Sequence, residues 1–293
     1  MTALLRTAGI AKSYGGVQAL NGATIAVEEG TVAGLIGPNG SGKTTLFNVI
    51  TGYERPDAGE VWFGDHAITG YPPDKVFAAG IGRTFQLTRI FPRLTVIENM
   101  LVAAQARDRP RNLLARFGRD AWTQHRRHAT ELLEFVGIER HAGVLAGSLS
   151  YGQRKLLELA YVLVADPMVI LLDEPAGGVN PTLINLIADR IRQLNAEQGK
   201  TFLLVEHNME FVMGLCSVIT VLESGVAVVS GPPGIVRTDK RVLDAYLGAD
   251  LDSDDGPPDD GPPDDGPPDV GPPDVGPPDV GQHAGGQGQE GTR

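Results

Sequence analysis

The chain is short of cysteine, of long apolar runs and of positive charge. Its one cysteine, Cys216, excludes an internal disulfide framework and any zinc site built from cysteines. It lies in the apolar stretch Val212-Met213-Gly214-Leu215-Cys216, as expected of a reduced, buried thiol that behaves as a small hydrophobe. No apolar run reaches the ~18 residues that a bilayer-spanning helix needs. The first residues, Met1-Thr2-Ala3-Leu4-Leu5-Arg6, have neither the basic start nor the apolar segment of a secretory signal. The expectation is a cytoplasmic protein that leaves any membrane crossing to other subunits.

The 293 residues carry a formal charge of −11, very unevenly spread. Ten Asp and one Glu against one Arg give Leu251–Arg293 a charge of −10, which leaves the first 250 residues at −1. A near-neutral body argues against a nucleic-acid partner, because phosphate neutralisation needs a strong basic field. At 42% apolar residues the chain can bury a sizeable core. Its length allows two domains or one large α/β domain.

The last part of the chain is a repeat. Five copies of Gly-Pro-Pro-Asp-x run from Gly256 to Val280. Collagen needs glycine at every third position, and a period of five excludes it. Proline removes donors, aspartates repel one another, and little is available to bury. Residues 251–293 are therefore expected to be a disordered, acidic tail, either a solvated spacer or a weak binder of a partner or cations.

The body alternates apolar strands with amphipathic helices. Thr31–Ile36, Val169–Leu172 and Phe202–Val205 read as buried strands. Thr44–Thr51 reads as a helix, and so does Leu183–Leu194, with Leu183, Leu186, Ile187, Ile191 and Leu194 on one face. That order predicts a parallel sheet covered by helices. Val218–Leu222 and Val226–Val229, joined by Glu223-Ser224-Gly225, read as a late hairpin. Between Leu87 and Leu149 the pattern turns helical and Arg-rich, as for an inserted helical subdomain. There, seven arginines (Arg107, Arg109, Arg111, Arg116, Arg119, Arg126 and Arg127) against Asp108 and Asp120 give a local charge of +5, read as a solvated face or a surface turned to an anionic bilayer.

Chemistry enters at Gly37-Pro38-Asn39-Gly40-Ser41-Gly42-Lys43-Thr44, which fits G-x-x-x-x-G-K-[ST] between a strand and a helix. The glycines let successive N–H groups turn inward as an anion nest at a helix N-terminus. Lys43 adds a point charge for the β- and γ-phosphates, and the Thr44 hydroxyl is placed to ligate Mg²⁺. Downstream, the strand Val169–Leu172 ends in Asp173 and Glu174. Asp173 suits Mg²⁺, through water, and Glu174 suits a general base for the attacking water.

Leu149-Ser150-Tyr151-Gly152-Gln153, ahead of a helix expected from about Arg154 to Val164, resembles the signature of the ATP-binding cassette (ABC) ATPases. Other marks of that family follow in order. Tyr14 matches the aromatic residue that stacks on adenine, and Gln86 in Arg83-Thr84-Phe85-Gln86 matches the Q-loop. Asn180 stands at the D-loop position, where many members carry Asp, so the hydrogen-bonding capacity is kept and the charge lost. His207 matches the switch histidine. The resemblance runs from Leu4 to about Gly248.

It implies a P-loop NTPase core with a parallel sheet, an N-terminal antiparallel β subdomain and a helical subdomain at about 87–160, within a nucleotide-binding domain of residues 1–250. It implies ATP and Mg²⁺ as ligands, with Gln86 joining Thr44 and Asp173 at the metal and joining Glu174 and His207 in catalysis. Thr45 acts with Lys43 and Thr44 on the phosphates. Two such domains pair head to tail in this family, so Ser150, Tyr151, Gly152 and Gln153 serve the ATP of the partner, either a second copy or a paralogue.

Within the family, Arg83–Leu87, Phe91–Met100, Val205–Glu210 and Ala245–Gly248 look like subunits of branched-chain amino acid importers. Those work on the inner face of the membrane with integral permeases and a separate solute-binding protein. Importers of urea or short amides, and some lipid exporters, use similar sequences. A soluble ABC ATPase acting on ribosomes or DNA, and a binding module with a dead ATP site, are the readings outside transport. The first lacks tandem cassettes, a long coiled coil or a basic body here. The intact Lys43, Asp173, Glu174 and His207 speak against the second.

Overall fold

The computed structural model describes residues 3–84, 90–107 and 119–243, all within the first of two units, Met1–Asp254. The second unit, Asp255–Arg293, and with it the repeat tail, lies outside the described residues, as do Gln86 and Ala245–Gly248.

Two sheets organise the described chain. The first is antiparallel, in the order β2 (Val17–Ala23), β1 (Ala3–Tyr14), β5 (Ala58–Phe63), β6 (His66–Ala67), with β3 (Ala26–Glu28) also pairing β1. The second runs β11 (Val226–Gly231), β10 (Val218–Glu223), β4 (Val32–Ile36), β9 (Thr201–Val205), β8 (Val169–Asp173), β7 (Ile81–Arg83). All its pairings are parallel except the β10–β11 hairpin.

The three central strands, β4, β8 and β9, are buried along their whole length. Their continuous apolar runs fit a parallel sheet covered on both faces. Alternate residues divide between two cores. Ala33, Leu35, Val169, Leu171, Leu203 and Val205 face a core shared with the antiparallel sheet and helix α1 (Lys43–Ile50). Ile36, Ile170, Leu172, Phe202 and Leu204 face the core built with the remaining helices. Those are α3 (Val96–Arg107), α4 (Arg119–Val136), α5 (Tyr151–Leu163), α6 (Pro181–Gln198) and α7 (Met209–Leu215). The short helices α2 (Pro73–Ala79) and α8 (Pro233–Val236), with two 3-10 turns at Glu139–His141 and Ala146–Ser148, complete the described elements.

Helices α3, α4 and α5 pack on one another and supply the helical stretch expected between the two nucleotide motifs. No described helix is long and apolar enough to cross a membrane. Of the arginine cluster, only Arg126 and Arg127 have described side chains, and both are exposed. Arg127 pairs with Glu131 across one turn of α4 at 3.6 Å. Arg109, Arg111 and Arg116, and the side chains of Arg107 and Arg119, lie outside the described residues.

One boundary differs from the sequence expectation for a clear reason. Helix α5 begins at Tyr151, not near Arg154. Ser150 caps it, accepting from the Gln153 N–H at 3.3 Å, while the Gln153 side chain accepts from the Ser150 N–H at 2.9 Å. This reciprocal capping box satisfies two N–H donors of the first turn and starts the helix inside the signature.

Candidate functional site

The site gathers at the carboxyl ends of β4, β8 and β9, where ligands bind in open α/β sheets. Residues 37–42 join β4 to α1. Gly37 (φ +153°) and Gly42 (φ +101°) adopt backbone conformations open to glycine, and both are crowded. A Cβ on Gly37 would lie 2.1 Å from the Leu222 carbonyl oxygen, and one on Gly42 2.4 Å from that of Ala19. The loop is therefore threaded between β2 and β10 with no room for side chains at these points. Gly42 stands at the cap position of α1 and offers no side chain to its N–H groups, so the first turn keeps its donors for an anion. The Ser41 hydroxyl, buried beneath the loop, has no hydrogen-bond partner among the described residues. Asn39, Gly40 and Thr44 are exposed; Pro38 and Thr45 are half-buried.

The Lys43 ammonium folds back over the loop, donating to the carbonyls of Gly37 at 2.8 Å and Pro38 at 2.9 Å. Burial lowers its pKa, while the Glu174 and Asp173 carboxylates pull it the other way. The lysine therefore shares one electrostatic environment with both acids, as their order along the sequence suggests.

Asp173 ends β8 and is buried. Its Oδ2 accepts from Arg83 Nη2 at 3.0 Å, and its N–H donates to the Thr84 hydroxyl at 3.2 Å. Arg83, on β7, also reaches α1 and the turn after it, donating to Asn48 Oδ1 at 2.8 Å and Thr51 Oγ1 at 3.0 Å. Asp173 Oδ1 has no hydrogen-bond partner among the described residues. That buried oxygen and the exposed Thr44 hydroxyl are hard donors suited to Mg²⁺. Among the described residues no group of three or more His, Cys, Asp or Glu could hold a metal unaided. Such a sparse set fits an ion that keeps its waters and shares the substrate's phosphates.

Glu174 has φ +48°, a costly conformation for a residue with a Cβ. Its N–H donates to the Val205 carbonyl at 2.9 Å, and its own carbonyl accepts from the Lys155 ammonium at 3.1 Å. These bonds fix the turn that lifts its partly exposed carboxylate to within 3.8 Å of His207 Nδ1. His207 is largely exposed, just beyond β9. Tyr14, at the end of β1, is 43% exposed. Its hydroxyl lies against Thr45 and Glu54, and burial together with the Glu54 charge raises its pKa.

The signature residues lie elsewhere in the same chain's architecture. Among the described residues no hydrogen bond or ion pair joins Ser150, Tyr151, Gly152 or Gln153 to residues 37–45. They touch the start of α6 instead. A Cβ on Gly152 would meet the Leu183 side chain at 2.5 Å, and one on Gly178 would meet the Tyr151 ring at 3.1 Å. The Gln153 amide also reaches His141 Nε2 at 3.1 Å. Asn180 is the N-cap of α6, its side-chain oxygen accepting from the Leu183 N–H at 2.9 Å.

Sequence reading passed over two residues of this site. Arg83 was visible only as a neighbour of Gln86, and Glu206 only as a neighbour of His207. Neither sits in a motif of its own, and their partners lie far away in the chain.

A glycine-rich phosphate loop between a parallel strand and a helix, faced by a strand ending in two acids, defines a P-loop nucleotide hydrolase. The ABC transporter family profile matches residues 20–177. The high-affinity branched-chain amino acid transport ATP-binding protein BraF of Pseudomonas aeruginosa is 37% identical over 249 residues, covering 84% of this chain and 98% of BraF. The ADP conformation of MJ1267, an ATP-binding cassette of an ABC transporter, superposes with a TM-score of 0.74 at 34% identity, over 85% of this chain and all of that one. The dimeric structure of MJ0796, a bacterial ABC transporter cassette, gives 0.69 at 26% identity, over 78% and 98%. The chain belongs to the ABC transporter family. It is an ATP-binding subunit with the ATPase activity characteristic of that family, similar to the ATPases of branched-chain amino acid transport.

Proposed function

We propose that this chain is the ATPase subunit of an importer of branched-chain or similar hydrophobic amino acids. It sits on the inner face of the membrane and drives integral permease subunits fed by a separate solute-binding protein. The reading is carried by one observation: the likeness to BraF spans nearly the whole of that protein's length. Residues 1–250 act as the nucleotide-binding domain and 251–293 as a solvated acidic spacer.

The geometry supports the following division of roles. ATP lies with its phosphates on the N–H groups of residues 37–45 and its adenine against the exposed ring of Tyr14. Lys43 exchanges its two carbonyl partners for phosphate oxygens, a stronger, charge-assisted pairing. Thr44 and Asp173, with Gln86, would hold Mg²⁺, which would neutralise charge on the phosphates. Glu174 accepts the proton of the attacking water, and His207, 3.8 Å away, orients that carboxylate and faces the γ-phosphate.

A dimer completes the site, formed with a second copy or a paralogue. Ser150 keeps its acceptor role in the cap of α5 and still has its own O–H to donate to the partner's γ-phosphate. Gly152 lets that phosphate approach the helix end, and Gln153, committed to Ser150 and His141, holds the serine in place. Asn180 caps α6 beside this surface and presents its amide nitrogen across the dimer.

Co-purification followed by reconstitution tests the assignment. The chain, expressed with the membrane and binding-protein genes beside its own, should yield a membrane complex that takes up leucine, isoleucine or valine on addition of ATP. Uptake of urea or short amides instead, or no membrane partner, would overturn it.

A further inference from the structure

Glu206 is fully buried at the end of β9, yet its carboxylate pairs with no cationic side chain among the described residues. Its three partners are backbone N–H groups. Oε1 accepts from Ala176 at 2.6 Å, and Oε2 accepts from His207 at 3.1 Å and Asn208 at 3.3 Å. Burial raises its pKa, and these bonds together with His207 oppose the rise. An ionisable group is costly to bury, so its position calls for a reason. Capping α7 is not that reason, because Asn208 already caps the helix by accepting from the Phe211 N–H at 3.0 Å.

What Glu206 does is join two loops. Ala176 lies two residues beyond Glu174, whose strained turn is held on its other side by the bond from its own N–H to Val205. His207 follows Glu206 directly. One carboxylate thus brackets the segment carrying the base and the segment carrying the histidine, and only a group with two acceptor oxygens on a stem of this length reaches both. We propose that Glu206 is a positioning residue for ATP hydrolysis, a buried clamp that sets the Glu174 carboxylate against the His207 ring. The proposal deepens the reading of Glu174 and His207 given above and rests on it.

The test uses the full chain and its near-isosteric variant Glu206→Gln. Its amide keeps one oxygen and turns an NH₂ toward a backbone N–H, so one loop loses its acceptor. A fluorescent ATP analogue, titrated to give affinity and the number of sites, should bind within about twofold of wild type, because the phosphate loop is untouched. Turnover per binding site should fall about 10- to 100-fold, the scale of an ångström-sized misplacement of reacting groups.

A double-mutant cycle separates positioning from general damage. In a Glu174→Gln background, adding Glu206→Gln should change the residual single-turnover rate less than about twofold, since the group it positions is gone. Wild-type turnover in Glu206→Gln overturns the proposal. So does a loss that merely follows the number of binding sites, or one equally large in the Glu174→Gln background. If Glu206→Gln yields no folded protein, Glu206→Asp is judged by the same outcomes: it keeps the charge and loses the reach to Ala176. If Glu174→Gln hydrolyses ATP at the wild-type rate, the parent reading falls and the clamp falls with it. If Glu174→Gln is inactive while Glu206→Gln is not, only the clamp falls.

Discussion

Replacing Arg83 by Ala should be among the most damaging single changes outside the phosphate loop. Its guanidinium and the Asp173 carboxylate are both nearly excluded from solvent, at 6% and 2% side-chain exposure. Taking away one partner leaves the other charge buried and unpaired, at a cost of about 3–5 kcal/mol. Urea unfolding of Arg83→Ala should show that loss, and a cost below about 1 kcal/mol would mean that water reaches the pair. Cys216 gives a contrasting case. Burial, helped by the nearby Glu206 charge, pushes its thiol up to about 12, so the reactive thiolate is scarce near neutral pH. Alkylation at pH 8 should be slow in the folded chain and fast in urea, and equal rates would contradict the assigned burial. Cysteine burial is legible from an apolar neighbourhood five residues long. The Arg83–Asp173 pair is not, because its members are 90 positions apart and neither implies the other until β7 and β8 pair in register.

Among elements, the legible ones share a property. Strands β4, β8 and β9 are buried on both faces, so their sequences are plain apolar runs, and α6 carries a one-sided apolar stripe. The antiparallel sheet is different. Strand β2 reads VQALNGA, and β1 pairs with it through register shifts at Ile10/Ala11 and Lys12/Ser13 that spoil a period of two. That sheet is expected only through the family resemblance. The start of α5 is set by a pair of side-chain bonds, which apolar periodicity does not report. Ser150→Ala should therefore cost about 1 kcal/mol of stability through the lost cap. It should also lower ATP turnover if, as proposed, the same hydroxyl serves the partner's phosphate. Thermal melts and turnover measured side by side check both effects. Lost stability with unchanged turnover would leave Ser150 a cap and nothing more.

At the scale of the whole molecule, the proposed dimer takes the two halves of its site from motifs that lie apart in one chain. The phosphate loop, Asp173, Glu174 and His207 converge at one end of the parallel sheet, while Ser150 is exposed at the start of α5 and Gly152 packs against Leu183 of α6. Mixing two inactive chains tests whether the halves meet across a dimer. Lys43→Ala keeps its signature and Ser150→Arg keeps its phosphate loop, so a mixed pair of copies rebuilds one of its two sites. Activity well above either variant alone is expected. If this chain works with a paralogue, the two substitutions belong on opposite partners, and the same outcome is expected there. No rescue, with mixed dimers demonstrated by mass, would place the signature in another role.

The most direct measurement is ATP turnover by Glu174→Gln. The substitution leaves the phosphate nest and Asp173 in place, takes one carboxylate from the surroundings of Lys43, and removes the proposed proton acceptor beside His207. The account predicts unchanged ATP affinity, loss of nearly all hydrolysis, and accumulation of an ATP-bound dimer visible by light scattering. Hydrolysis near the wild-type rate would contradict it.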